Sequence, residues 1–113
     1  MKILIVLMIL VGVSGKAIAA NVMSPSRGVV CDKNAGFCVD YRGISMGLTK
    51  FYLGKQAEDK LLITLGDNAN LSEYTFSNGI YCDSKEKQCY NDRYYPRTPD
   101  KRNINMTKQI FGQ

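Results

Sequence analysis

Four cysteines are the residues of this chain whose type and spacing point most directly to chemistry. Cys31 and Cys38 lie in the stretch GVVCDKNAGFCVD, and Cys82 and Cys89 lie in the similar stretch GIYCDSKEKQCYN. An even number of cysteines in a short exported chain indicates disulfide bonds. The similarity of the two stretches favours Cys31–Cys38 and Cys82–Cys89 bridges, since a chain reversal within each stretch brings its two Cα atoms within bonding range.

A zinc site built from the same four cysteines is the competing interpretation. Structural zinc sites usually have C-x2-4-C spacing, whereas both stretches here have C-x6-C spacing, and the chain contains no histidine. The sequence therefore favours disulfides over metal ligation and predicts no cofactor.

Two further patterns resemble catalytic or metal-binding motifs, but a structural role suits each better. Gly43–Gly47 matches G-x-S-x-G, yet a nucleophile elbow needs a histidine base, so Ser45 is better explained as a helix N-cap. Asp32 and Asp83 each follow the first cysteine of a pair, and we expect them to accept hydrogen bonds from turn amides. On this basis the protein is not expected to be an enzyme.

The Tyr90–Arg102 loop, YNDRYYPRTPDKR, is the most conspicuous candidate binding segment. Tyrosine and arginine contribute much of the energy at protein interfaces, and tyrosine also stacks on sugars. The alternative is that the tyrosines cover a thin core while the basic residues are merely solvated. No pattern positions a basic stripe for nucleic acid. The predicted partner-contacting residues are Tyr90, Arg93, Tyr94, Tyr95, Arg97 and Arg102.

Residues 1–19 have the features of a secretory signal peptide. Lys2 precedes an apolar run from Ile3 to Val13, and Ala17-Ile18-Ala19 provides a cleavage site. This run is shorter than the ~20 residues that span a bilayer, so we expect export to the periplasm without stable membrane insertion. An uncleaved anchor is the alternative. The formal net charge of the whole chain is a mild +5.

Residues 20–113 are predicted to form one domain containing two repeats, at about 24–66 and 75–113. Besides the cysteine stretches, LTKFYLG (Leu48–Gly54) corresponds to MTKQIFG (Met106–Gly112), and the second copy carries the extra segment YYPRTPDKRN. Each copy suggests two strands around a polar turn, followed by a helix capped by Ser45 or Asn105. The first helix is expected to run through about Leu62, although Leu61–Leu65 also suits a strand.

These elements predict a small α+β domain of two pseudo-symmetric hairpin-plus-helix units, each stapled by its own disulfide. A core this small benefits from covalent bridges, each closing a ring worth roughly 2.5 kcal/mol on the loop-entropy estimate.

The cysteine stretches and the chain terminus also resemble a known family. FSNGIYCDSKEKQCYNDRYY (Phe76–Tyr95) and MTKQIFGQ (Met106–Gln113), supported by SPSRGVVCD (Ser24–Asp32), are similar to the YcgJ family of small exported bacterial proteins, which is related to the Fels-1 prophage protein-like group. The resemblance implies a location in the Gram-negative envelope and supplies no catalytic residues.

Two functional hypotheses follow from the sequence. The first is a non-enzymatic binding or inhibitor module that acts on an envelope protein or glycan through the Tyr90–Arg102 loop. The second is a structural or stress-related envelope protein whose partner surface lies elsewhere.

Overall fold

The computed structural model describes residues 21–67 and 69–112, so the predicted signal peptide lies outside the described residues. Two small antiparallel sheets and three α-helices form an α+β domain, as predicted. The strands are β1 (Val22–Ser26), β2 (Val29–Asp32), β3 (Phe37–Asp40), β4 (Gly43–Ser45), β5 (Glu73–Thr75), β6 (Tyr81–Asp83) and β7 (Gln88–Tyr90), and the helices are α1 (Met46–Leu53), α2 (Lys55–Leu65) and α3 (Ile104–Phe111). The sheets have the orders β1-β2-β3-β4 and β5-β6-β7.

Both cysteine pairs form disulfides across their own hairpins, which confirms the predicted pairing. Cys31 lies opposite Cys38 in the β2–β3 pair, and Cys82 lies opposite Cys89 in the β6–β7 pair. The side chains of all four cysteines are fully buried. Each bridge therefore lies within the apolar interior and links the two strands of its hairpin.

The two hairpin turns share one backbone conformation despite their different sequences. Gly36 and Lys87 occupy equivalent positions with φ of 84° and 59°, and their amides donate to the carbonyl oxygens of Asp32 and Asp83. The Asp32 carboxylate also accepts from the Ala35 amide at 3.0 Å, the turn role expected from its position. The second turn thus places a lysine where the first uses glycine to reach a left-handed conformation.

A threonine from the following helix completes each hairpin. The Thr49 hydroxyl of α1 accepts from the Cys38 amide at 2.9 Å, and the Thr107 hydroxyl of α3 accepts from the Cys89 amide at 2.9 Å. These threonines are the ones shared by LTKFYLG and MTKQIFG. The common Thr-Lys pair therefore marks a buried hydrogen bond that fixes a helix to its disulfide hairpin.

The helix caps agree with the prediction in the first unit and differ in the second. Ser45 Oγ accepts from the Leu48 amide at 3.0 Å, as expected of an N-cap. The prediction of Asn105 is wrong, because α3 begins two residues earlier and Asn103 Oδ1 accepts from the Met106 amide at 2.9 Å. Asn103 is anchored there because its amide donates to the carbonyl of Cys89, which continues the β7 pairing.

The predicted single helix through Leu62 is two helices, which is a correction to the sequence-based prediction. Gly54, with φ of 101°, ends α1 and precedes α2. Leu61–Leu65 is helical, not a strand: Leu61 is buried, whereas Leu62 and Ile63 are exposed. The burial follows a helical face because the chain turns about 100° per residue.

The two units pack together through aromatic side chains and a buried carboxylate. Phe37 stacks on Phe76 at 5.7 Å between ring centroids, and Tyr74 meets both rings edge-on. Asp32, which has no exposed surface, accepts from both the amide and the hydroxyl of Ser77. One acidic side chain thereby orders its own turn and binds the neighbouring unit.

A close backbone approach joins the two sheets at their adjoining edges. The Ile44 amide donates to the Leu71 carbonyl at 2.9 Å, and the Ser84 hydroxyl donates to the Arg42 carbonyl at 3.3 Å. A Cβ added to Gly43 would lie 2.2 Å from the Leu71 oxygen, so only glycine fits this position. Within residues 21–67 and 69–112 no helix has the length and apolar character needed to cross a membrane.

Candidate functional site

The Tyr90–Arg102 loop is closed at its base by backbone pairing. Tyr90 and Arg102 form an antiparallel bridge, and the Asn91 amide donates to the Lys101 carbonyl at 2.7 Å. A 3-10 turn over Pro99–Lys101 returns the chain toward α3. This pairing repeats the opposition of Val39 and Ile44 in the first unit, so the additional residues form a bounded loop on an otherwise equivalent framework.

The three tyrosines of the loop have different environments. Tyr90 is only 5% exposed and packs near Tyr81, so its assignment as a partner contact is wrong. It is buried because it occupies the strand position equivalent to Val39, which faces the interior. Tyr94 and Tyr95 are 62% and 78% exposed. Tyr90 therefore belongs to the core, whereas Tyr94 and Tyr95 lie on the surface, where a partner could contact them.

Arg97 organises the exposed part of the loop. Its guanidinium carbon lies 4.5 Å from the ring centroid of Tyr81 and 4.0 Å from that of Tyr95. The same guanidinium donates to the Tyr95 hydroxyl at 2.7 Å and to the Arg93 carbonyl at 3.0 Å. We call Tyr81, Tyr95 and Arg97 the Arg97 stack. Cation–π attraction and these hydrogen bonds hold an exposed aromatic ring against the sheet.

The base of the Arg97 stack is fixed by a hydrogen bond within the second sheet. The Tyr81 hydroxyl donates to a Glu73 carboxylate oxygen at 2.7 Å, and the Asn70 amide donates to the other oxygen at 3.2 Å. The Tyr81 hydrogen bond is the main reason that the pKa of Glu73 is lowered. Burial, followed by this hydrogen bond, raises the pKa of Tyr81. Around neutral pH, therefore, a protonated tyrosine donates to an ionised carboxylate.

An open groove of about 260 Å³ lies on the side of the loop that faces the β5–β6 connection. Its lining residues are Thr75, Phe76, Ser77, Gly79, Asn91, Asp92, Arg93 and Tyr94. Asp92 Oδ1 accepts from the Tyr94 amide at 3.0 Å and lies 3.9 Å from Lys101 Nζ. The Arg93 guanidinium carbon lies 5.4 Å from the Tyr94 ring centroid. A carboxylate, a guanidinium and an exposed ring thus adjoin one recess.

The structure groups only some of the predicted contact residues. Tyr95 joins Arg97 in the stack, and Arg93 joins Tyr94 at the groove. Arg102 lines a different hollow, with Gln88, Ile104 and Thr107.

The sequence-based prediction missed Tyr81, which forms the inner layer of the Arg97 stack. Tyr81 lies directly opposite Tyr90 in the β6–β7 pair. The sequence contained the information needed to find Tyr81. In an antiparallel hairpin that places Cys82 opposite Cys89, Tyr81 must lie opposite Tyr90.

The side chains suited to metal binding or redox chemistry are otherwise engaged or dispersed. Across the two described stretches, no three His, Cys, Asp or Glu side chains cluster as metal ligands would, and no cysteine there is free. Disulfides of this kind are typical of extracellular or periplasmic environments, where thiols are oxidised.

Comparisons with known proteins place the chain in a family. The family model described as YcgJ protein matches residues 22–111. The chain is 43% identical over 96 residues to a protein of Escherichia coli strain K12 named "Uncharacterized protein YcgJ", an alignment that covers 82% of this chain and 75% of that protein. No solved structure matches. With the family model covering both disulfide hairpins and all three helices, the chain belongs to the YcgJ family.

Proposed function

We propose that this protein is a non-enzymatic binding module of the bacterial cell envelope. The observation that carries the proposal is the Arg97 stack, in which an exposed Tyr95 ring is held by a guanidinium that is itself held over Tyr81. Tyrosine and arginine are the side chains most often found at the centres of interfaces. A side chain that is already ordered loses less conformational entropy when a partner binds.

The charges around the stack favour a partner with acidic or polar groups. The loop carries the basic residues Arg93, Arg97, Lys101 and Arg102 against the acidic residues Asp92 and Asp100. Only Asp92 lies within ion-pair distance of one of these bases in the described part of the chain. A surplus of basic groups at the rim of an aromatic surface accelerates the encounter with an acidic partner and helps to select it.

The location that we propose is the periplasm. The leader at residues 1–19 supports export, and the two buried disulfides support an oxidising compartment. An envelope protein or an envelope glycan is the partner expected there. Binding that blocks the partner's own activity would make the module an inhibitor.

Co-sedimentation of the purified protein with isolated cell envelopes tests this proposal. The test variant is Tyr95→Ala with Arg97→Ala, which removes the stack. Tyr41→Ala with Arg42→Ala is the matched control, because Tyr41 is 54% exposed and Arg42 lies 5.4 Å from its ring centroid. We expect wild-type protein and the control to sediment with envelopes, and the test variant to remain in the supernatant. Circular dichroism establishes that both variants are folded.

The opposite result would direct attention to another surface. If the stack variant sediments as well as the wild type does, the binding-loop proposal fails. The structural alternative would then gain support, because α1 and α2 expose Phe51 (77%) and Ile63 (83%) outside the loop. If the wild-type protein does not sediment with envelopes, the proposal is rejected, whether the partner is an envelope protein or an envelope glycan.

A further inference from the structure

We propose that the groove beside Tyr94 binds one sugar ring of a polysaccharide. The inference rests on the proposed function and specifies the chemical class of its partner. The groove lies between the loop and the β5–β6 connection, where Asn91, Asp92, Arg93 and Tyr94 line one side. Three properties of this recess support a saccharide: an aromatic wall, neighbouring donors and acceptors, and a suitable size.

Tyr94 forms the aromatic wall. Its side chain is 62% exposed although the Arg93 guanidinium carbon lies 5.4 Å from the ring centroid, so part of the ring stays accessible to a ligand. The Tyr94 backbone is also fixed, since its amide donates to Asp92. The C–H bonds on one face of a pyranose carry partial positive charge and pack favourably on the negative face of an aromatic ring. An exposed and positioned tyrosine is therefore suited to stacking against a sugar.

Polar groups of both kinds lie next to this wall. Asp92 uses Oδ1 for the Tyr94 amide, and its side chain remains 42% exposed, so Oδ2 is available as an acceptor. Asn91 Oδ1 accepts from the Asn103 side-chain amide at 3.1 Å, which leaves the Asn91 NH₂ group as a donor. Arg93 and Thr75, which also line the groove, carry further donor groups. Adjacent sugar hydroxyls require this alternation, because each hydroxyl both donates and accepts.

The size of the groove narrows the ligand to one ring of a longer chain. The groove, at about 260 Å³, is smaller than the ~300–1,000 Å³ typical of sites for drug-sized ligands, which suits a single ring of a longer chain. Asp92 and Arg93 bring one charge of each sign to its lining, so the recess itself accepts neutral and anionic sugar chains alike. Glycosidases require a pair of carboxylic acids, and Asp92 is the single carboxylate among the lining residues. The arrangement therefore indicates binding without hydrolysis.

Saturation-transfer NMR on the full exported chain, with defined oligosaccharides as probes, tests the inference. The probes are cellotetraose, the tetramer of β-1,4-linked N-acetylglucosamine, and tetragalacturonate, each at about 10 mM because one ring contributes millimolar affinity at best. We expect transfer to at least one of the three oligosaccharides. Amide shifts should move at Gly79 and Asn91. Tyr94→Ala should weaken binding by about five- to tenfold, and Asp92→Asn should weaken it while keeping an oxygen for the Tyr94 amide.

Tyr41→Ala is the control, since it removes an equally exposed tyrosine outside the groove and should leave binding unchanged. Absence of transfer to every probe by folded wild-type protein overturns the inference, as does binding that Tyr94→Ala leaves intact. If no sugar binds but envelope sedimentation still depends on Tyr95 and Arg97, this inference fails and the proposed function stands, with loss of sedimentation after protease treatment identifying a protein partner.

Discussion

Replacing Thr107 with valine should destabilise the protein, because the Thr107 hydroxyl serves a buried backbone group of the second disulfide hairpin. The hydroxyl accepts from the Cys89 amide at 2.9 Å and donates to the Asn103 carbonyl at 2.8 Å. Thr107 is 5% exposed and Cys89 is fully buried. Valine has nearly the same shape but no hydroxyl, so the Cys89 amide would keep no partner in the interior.

The magnitude follows from the cost of an unsatisfied buried donor. Leaving a buried amide unpaired costs about 1–3 kcal/mol, and the additional methyl group of valine offsets up to about 0.8 kcal/mol. Taking the middle of the first range, about 2 kcal/mol, we expect Thr107→Val to lower the free energy of unfolding by about 1–2 kcal/mol. For a domain of this size, that loss lowers Tm by roughly 4–16 °C. Thr49→Val should behave alike, since Thr49 accepts from the Cys38 amide in the same way.

Urea denaturation followed by far-UV circular dichroism measures this change, with Thr64→Val as the control because Thr64 is exposed on α2. Hydrogen exchange gives a local measurement: the Cys89 amide should exchange faster in Thr107→Val, and the Cys38 amide faster in Thr49→Val. If Thr107→Val matches the wild type within about 0.3 kcal/mol and the Cys89 amide stays protected, the threonine does not hold the helix to the hairpin.

Three further substitutions test separate features of the structure. Tyr74→Phe should raise the free energy of unfolding by about 1 kcal/mol, because the Tyr74 hydroxyl is buried without a hydrogen-bond partner among the described residues; a loss of stability in urea would contradict this. Tyr81→Phe should raise the pKa of Glu73 in a carboxyl NMR titration. The Tyr81–Glu73 hydrogen bond stabilises the fold above the ordinary glutamate pKa of 4.5, and this stability is lost as the pH falls through the lowered pKa of Glu73. If Glu73 titrates identically in the wild type and in Tyr81→Phe, the Tyr81 hydroxyl is not the cause of the lowered pKa. Lys87→Gly should stabilise the second turn by roughly 0.5–1 kcal/mol, since Lys87 adopts the left-handed conformation that Gly36 adopts in the first; equal or lower stability would contradict the argument.

The internal similarity of the sequence predicted more of the fold than was drawn from it. Ser45 and Asn103 are both N-caps, and they are separated by the same offset as the Thr-Lys pairs at Thr49 and Thr107. Applying that offset to Ser45 would have given Asn103 in place of Asn105. The two helices correspond equally well in their bounds, Met46–Leu53 and Ile104–Phe111. Common descent of the two units stays a prediction.

The contacts between the units were beyond the reach of pattern analysis. Asp32 was expected to accept turn amides, and it does, but nothing near Asp32 in the sequence indicates that it also binds Ser77 of the other unit. Similarly, Gly43 appears as part of a false catalytic motif, whereas its actual constraint is the Leu71 carbonyl. Both contacts join residues that are far apart in the chain, so they cannot be predicted from local sequence propensity.

Sequence alone determined the α+β class, the two local disulfides and the position of the exposed loop, because each depends on residues that are close together in the chain. Tertiary structure decided which loop residues act together: it buried Tyr90, placed Arg97 between Tyr95 and Tyr81, and separated Arg102 from them. The physical reason is that the composition of a loop establishes which side chains are available. Their grouping depends on the direction in which the closed loop folds back over the sheet.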